Sequence, residues 1–137
     1  MRSSFLLALL VPAVLSGQSL LVRPYVQPGL NSTLQAADSK RILWLTDQVP
    51  GEFSVEFSGE DFPVRTVAPE RVKLDFGPAK SKSPEVEPEQ HYFKYTATLD
   101  GLPLDHSITY RVKQSGKEIG SGTFKTTASA GKSIRFV

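Results

Sequence analysis

The sequence predicts an all-β fold, a sandwich of about seven or eight strands. Three observations lead there. Apolar residues beyond the N-terminal segment recur with period two, as in strands with one buried face. Clusters of Gly, Pro and Asp interrupt these stretches at short intervals. No stretch after residue 17 carries a helical period.

The first strand spans Leu21 to Gln27, and Pro24, which has no amide donor, confines it to a sheet edge. Pro28-Gly29 then turns the chain. Arg41 to Thr46 contains the apolar run Ile42-Leu43-Trp44-Leu45, the pattern of a central strand buried on both faces, with the only Trp as core anchor. After Pro50-Gly51, Phe53, Val55 and Phe57 alternate with Ser54, Glu56 and Ser58, so these two strands are expected to form a hairpin. Val64 to Val67 is a short strand. Val72, Leu74 and Phe76 mark another, with Arg71, Lys73 and Asp75 facing out.

Gly77 to Gln90, with Pro78, Pro84 and Pro88 among Lys and Glu, exceeds the usual connection length and reads as a mobile surface loop or an insertion. His91, Phe93, Tyr95, Ala97 and Leu99 then line one face opposite Tyr92, Lys94, Thr96 and Thr98, and Asp100-Gly101 closes that strand. Ile108, Tyr110 and Val112 alternate with Thr109, Arg111 and Lys113. Ser115-Gly116 turns, and Ile119 to Thr126 returns. Thr127 to Lys132 is small and polar like a linker, and Ser133 to Val137 becomes apolar again.

With 137 residues the chain holds one domain and short extras. Hydrophobic residues at 39% and charged residues at 22% are a globular balance. Sixteen basic against fourteen acidic residues, interspersed, give no support for nucleic-acid binding. Cysteine is absent, which excludes disulfides and thiolate metal sites and leaves apolar burial to hold the fold. Arg2, the apolar run Phe5 to Leu15 and small Ser16 and Gly17 form the three parts of a secretory signal peptide over residues 1–17, too short to span a membrane as a helix. No membrane contact is expected after its cleavage. The chain is accordingly expected to be secreted or periplasmic, with its domain over residues 18–127.

No complete catalytic constellation is visible. A dinuclear phosphoesterase site needs clustered Asp, His and Asn ligands. The only histidines, His91 and His106, lie in no such cluster and read as a strand-end and a turn residue. Asp105-His106-Ser107 has the residue types of a hydrolase triad, but neighbours on an extended turn point apart and cannot relay a proton. Glu85, Glu87 and Glu89 lack the ligand spacing of a calcium loop. Gly131-Lys132-Ser133 imitates the end of a phosphate-binding loop, yet position 126 is Thr where that motif needs Gly. Asn31-Ser32-Thr33 is a formal glycosylation sequon. No residue is therefore assigned a catalytic, cofactor-binding or metal-binding role.

Two sets of segments resemble known domains. Leu104, Tyr110 and Val112 resemble the tyrosine corner of fibronectin type III domains, in which the Tyr hydroxyl bonds back to upstream backbone, and Trp44 sits where those domains place their core Trp. More specifically, Arg23-Pro24-Tyr25-Val26-Gln27, Ile42-Leu43-Trp44-Leu45-Thr46, Thr98-Leu99-Asp100-Gly101-Leu102, Thr109-Tyr110-Arg111-Val112 and Phe124-Lys125-Thr126 resemble the N-terminal domain of purple acid phosphatases and related secreted metallophosphoesterases.

The resemblance implies an immunoglobulin/fibronectin type III-like sandwich followed by a linker and a calcineurin-like catalytic domain. Residues 128–137 would be that linker, with Ile134-Arg135-Phe136-Val137 resembling the first catalytic strand. The family's dinuclear metal ligands, for iron paired with iron, zinc or manganese, match no position here. The chain is thus expected to be a non-catalytic module, inactive by itself, whose partner is its own C-terminal catalytic domain in a parent that hydrolyses phosphate monoesters. The alternatives are a free-standing extracellular module that binds protein or carbohydrate, with Tyr25 and Tyr92 as aromatic candidates in its loops, and an independent small hydrolase.

Overall fold

The computed structural model describes residues 19–30, 36–76 and 90–132. The expected signal peptide, the Asn31 sequon, the three glutamates of residues 85–89 and the expected catalytic strand at 134–137 lie outside them. The described residues form eight strands and no helix: β1 (Leu20–Pro28), β2 (Asp38–Thr46), β3 (Phe53–Gly59), β4 (Phe62–Val67), β5 (Glu70–Phe76), β6 (Gln90–Leu102), β7 (Ser107–Gln114) and β8 (Lys117–Lys125). They build two antiparallel sheets, ordered β1-β2-β6-β5 and β4-β3-β7-β8. The architecture is an immunoglobulin/fibronectin type III-like β-sandwich.

The inward rows of both sheets meet around an aromatic cluster. Trp44 of β2 stacks on Tyr95 of β6 with centroids 5.4 Å apart and 7° between planes. Phe53 of β3 meets both rings edge-on, at 5.5 Å and 4.6 Å. Such aromatic pairs add about 0.5–1.5 kcal/mol each beyond the area they bury. The Tyr95 hydroxyl donates to the Gly51 carbonyl and accepts from its amide. Ile42, Leu99, Leu102, Ile108 and Val112 complete a fully buried core.

The expected β2–β3 hairpin does not form. β2 already has β1 on one side and β6 on the other, so residues 47–52 carry the chain across to the opposite sheet and place Phe53 against Trp44. Pro24 does confine β1 to an edge, where the register with β2 slips on either side of Val22.

β5 also differs from expectation. Its register pairs Arg71 with Tyr95, Lys73 with Phe93 and Asp75 with His91, which turns the charged residues toward the core side and Val72 and Leu74 outward. The inward row of β6, not the apolar count of β5, sets this phase. Arg71 covers the Phe93 ring, its guanidinium carbon 5.6 Å from the centroid, and stays exposed at the sandwich margin.

β6 does not stop at Asp100-Gly101. It continues to Leu102 through a bulge, since Asp38 pairs with Leu102 but Lys40 with Leu99. Gly101 takes φ 66° there, a conformation that costs glycine little. Ser115 and Gly116, at φ 47° and 83°, make the two-residue turn joining β7 to β8, as the sequence predicts.

The side closed by β1 and β8 depends on two glycines. A Cβ on Gly120 would lie 3.0 Å from the Pro24 ring, and one on Gly122 would lie 2.8 Å from the Tyr110 hydroxyl. Tyr110 lies flat over Gly122 and donates to the Pro24 carbonyl at 3.3 Å. The Tyr110 hydroxyl thus bonds upstream backbone, as the resemblance implies, but reaches 86 residues back and across the two sheets.

Candidate functional site

The residue types that first suggest chemistry are held apart. The His91 ring, edge-on to Phe93, donates from Nε2 to the Gln48 carbonyl at 3.2 Å. The His106 ring donates from Nδ1 to the Leu104 carbonyl at 2.6 Å. Asp105 turns away from His106 and accepts from the Ser129 amide and the Lys132 ammonium, both 3.2 Å from Oδ2. Ser107 pairs with Lys125 at the start of β7. The three consecutive residues consequently make no relay. Gly131 has φ 87°, and Lys132, the lysine of the imitated phosphate loop, is bound to Asp105.

Among the described residues no three His, Asp or Glu side chains gather into a group able to hold a metal ion, and no helix is long and apolar enough to cross a membrane. Burial pushes the Tyr110 phenol above its ordinary pKa, which keeps it a neutral donor to Pro24.

The two outer faces of the sandwich are chemically unlike. On the β4-β3-β7-β8 sheet, Ser54, Glu56 and Ser58 lie beside Thr109, Arg111 and Lys113, followed by Ser121 and Thr123. Lys113 pairs with Glu56, Arg111 with Glu118, and the Thr109 and Thr123 hydroxyls lie 3.1 Å apart. This is a solvated face.

The outer face of the β1-β2-β6-β5 sheet is the candidate site. Register places Tyr25, Leu43 and Thr96 in one row and Val22, Leu45 and Lys94 in the next, with Val72 beside Lys94 and Leu74 beside Tyr92. Val22 and Tyr25 are each 40% exposed and Val72 47%. Tyr25 and Tyr92, the aromatic candidates for binding loops, thus stand instead on one sheet face, with Arg41, Glu70, Lys94, Thr96 and Gln27 as charged and polar neighbours. Sequence reasoning missed this face because its outward members on β5 read as core residues. An arrangement of apolar surface, two phenols and a few hydrogen-bonding groups suits contact with another molecule.

No protein-family model and no curated protein matches this chain.

Proposed function

We propose that this chain is a non-catalytic fibronectin type III-like module of a purple-acid-phosphatase-like metallophosphoesterase. The observation that carries the reading is where the five resembling segments fall. Arg23 to Gln27 forms the middle of β1, Ile42 to Thr46 the end of β2, Thr98 to Leu102 the end of β6, Thr109 to Val112 the middle of β7, and Phe124-Lys125 the end of β8, with Thr126 just beyond it. Trp44, Leu99, Leu102, Tyr110 and Val112 from these segments share one core.

In this reading the chain enters a secretory or periplasmic route behind residues 1–17, and its partner is its own C-terminal catalytic domain. That domain supplies the dinuclear metal centre, iron with iron, zinc or manganese, and the phosphate monoester hydrolysis. The module supplies none of the ligands. The coding frame beyond Val137 is then expected to continue into Gly-Asp-type metal motifs. An authentic stop followed by no such motif would overturn the proposal. Purified as it stands, the chain should show no phosphatase turnover with added iron, zinc or manganese.

A second reading, a free-standing extracellular binding module, is favoured by the apolar outer face bearing Tyr25 and Tyr92. It predicts retention of the chain on an insoluble polysaccharide or an extracellular protein, with retention lost in Tyr25→Ala and Tyr92→Ala. Unchanged retention in both variants would remove this face from consideration.

A further inference from the structure

We infer that residues 126–132 are a strap fixed to the sandwich by Asp38 and Asp105, so that the chain leaves the domain at a set point and in a set direction. Their composition reads as a flexible linker, small and polar, but their hydrogen bonds are those of a docked segment. Thr126 is buried and exchanges three bonds with His106: its amide and hydroxyl donate to the His106 carbonyl, and the His106 amide donates to its Oγ1. One residue on, the Thr127 carbonyl accepts from the Asp105 amide at 3.0 Å, while the Thr127 amide donates to Asp38 Oδ2 at 2.7 Å. Ser129 and Lys132 then close on Asp105 Oδ2, and the Lys132 amide donates back to the Ser129 carbonyl at 3.4 Å.

The two carboxylates come from opposite parts of the chain. Asp38 opens β2 in one sheet. Asp105 lies in the β6–β7 turn, which joins the two sheets, and holds φ 62°. The strap therefore spans the end of the sandwich and binds both layers. Each carboxylate has further support: Lys40 donates to Asp38 Oδ2 and reaches Thr127 Oγ1, and the Ser39 amide donates to Asp38 Oδ1. An ionised acceptor taking two or three donors makes shorter and stronger bonds than a neutral one. Both carboxyls are held below their ordinary pKa. At Asp38 burial raises the value but is outweighed by Lys40 and by the Thr127 and Ser39 amides; at Asp105 the Ser129 bond lowers it most, opposed by some desolvation and aided by Lys132. With both held below their ordinary value, the two carboxylates remain ionised acceptors through mildly acidic conditions. This inference is independent of which polypeptide follows Lys132 and so does not rest on the proposed family.

The test is backbone 15N relaxation and amide exchange on the full chain. Thr127 and Ser129 are expected to show order parameters near those of the strands, about 0.85, at pH 7 and at pH 5. Asp105→Gly removes the carboxylate while tolerating the positive φ, and should speed exchange of the Ser129 amide by roughly two- to twelvefold, the loss expected for one hydrogen bond. Lys132→Gln, at the surface, should loosen Gly131 and Lys132 while leaving Thr127 ordered. The inference is overturned if Thr127 and Ser129 have order parameters below about 0.6 in the unmodified chain, or if Asp105→Gly leaves exchange of the Ser129 amide unchanged.

Discussion

The Tyr110 hydroxyl, on β7 of one sheet, bonds the carbonyl of Pro24, on the edge strand of the other, across 86 residues of sequence. Proline cannot donate, but its carbonyl remains an acceptor, so the residue that limits β1 to an edge also anchors that edge. Tyr110→Phe should cost about 0.5–1.5 kcal/mol, the usual net worth of one such bond. Gly122→Ala should cost more, about 1–3 kcal/mol, because the added Cβ meets the Tyr110 ring with no room to retreat. Urea denaturation of both variants checks the order, and a neutral Gly122→Ala would refute the close approach.

Trp44 is fully buried, and its Nε1 has no hydrogen-bond partner. Trp44→Ala should destabilise by about 3–5 kcal/mol, while Trp44→Phe keeps a stacked ring and removes the orphan N–H, so its cost should be well below that of Ala. Equal losses in the two variants, measured by thermal or urea unfolding, would show that the indole nitrogen and not the ring matters.

Asp38 gives the fold a pH dependence with a definite sign. Its folded-state pKa lies below the ordinary value of 3.8, so its contribution is complete above that value and is lost as pH falls through the folded pKa. Melting temperatures should hold steady from pH 7 to about 5 with respect to this group and fall below about 4. Asp38→Asn should be less stable than the unmodified chain at pH 7 and approach it at low pH. Parallel melting curves at all pH values would contradict the assignment.

The inward charges of β5 protect an exposed sheet edge. Lys73 and Asp75 pair at 2.8 Å in solvent, worth little to stability, but charges on the core side of an edge strand oppose pairing with a second chain. Lys73→Val should leave the unfolding midpoint nearly unchanged and promote self-association, visible as a concentration-dependent mass in light scattering. A strictly monomeric Lys73→Val would show that the edge is guarded some other way.

Much of this fold was legible because it rests on local period. The alternation from His91 to Leu99 placed the inward residues of β6 up to Leu99 but not Leu102, which lies beyond the bulge, and the run around Trp44 identified a central strand. The β2–β3 hairpin failed because turn residues mark a reversal without saying which sheet receives the returning strand. β5 failed because Val72 and Leu74 carry the right period with the wrong phase, and phase comes from a partner fourteen or more residues away. The candidate face was invisible for the same reason. His91 and His106 have no clustered neighbours in the sequence, and in the fold each ring bonds a backbone carbonyl. Asp38 and Asp105 could not be linked to the strap, because only the sandwich brings positions 38, 105 and 127 together.

The Trp44–Phe53 contact has a kinetic consequence. These rings lie nine positions apart in sequence yet on opposite sheets, so the pair joins the two layers after closing a very short loop. The Tyr110–Pro24 bond must close one nearly ten times longer, at an added entropic cost of about 2 kcal/mol on the logarithmic scaling of loop closure. Substitution of Phe53 should therefore slow folding, whereas Tyr110→Phe should mainly speed unfolding, a division that stopped-flow measurements would resolve. The sandwich would thus be assembled from its aromatic crossing outward, and the glycine-lined side would be the last to close and the first to open.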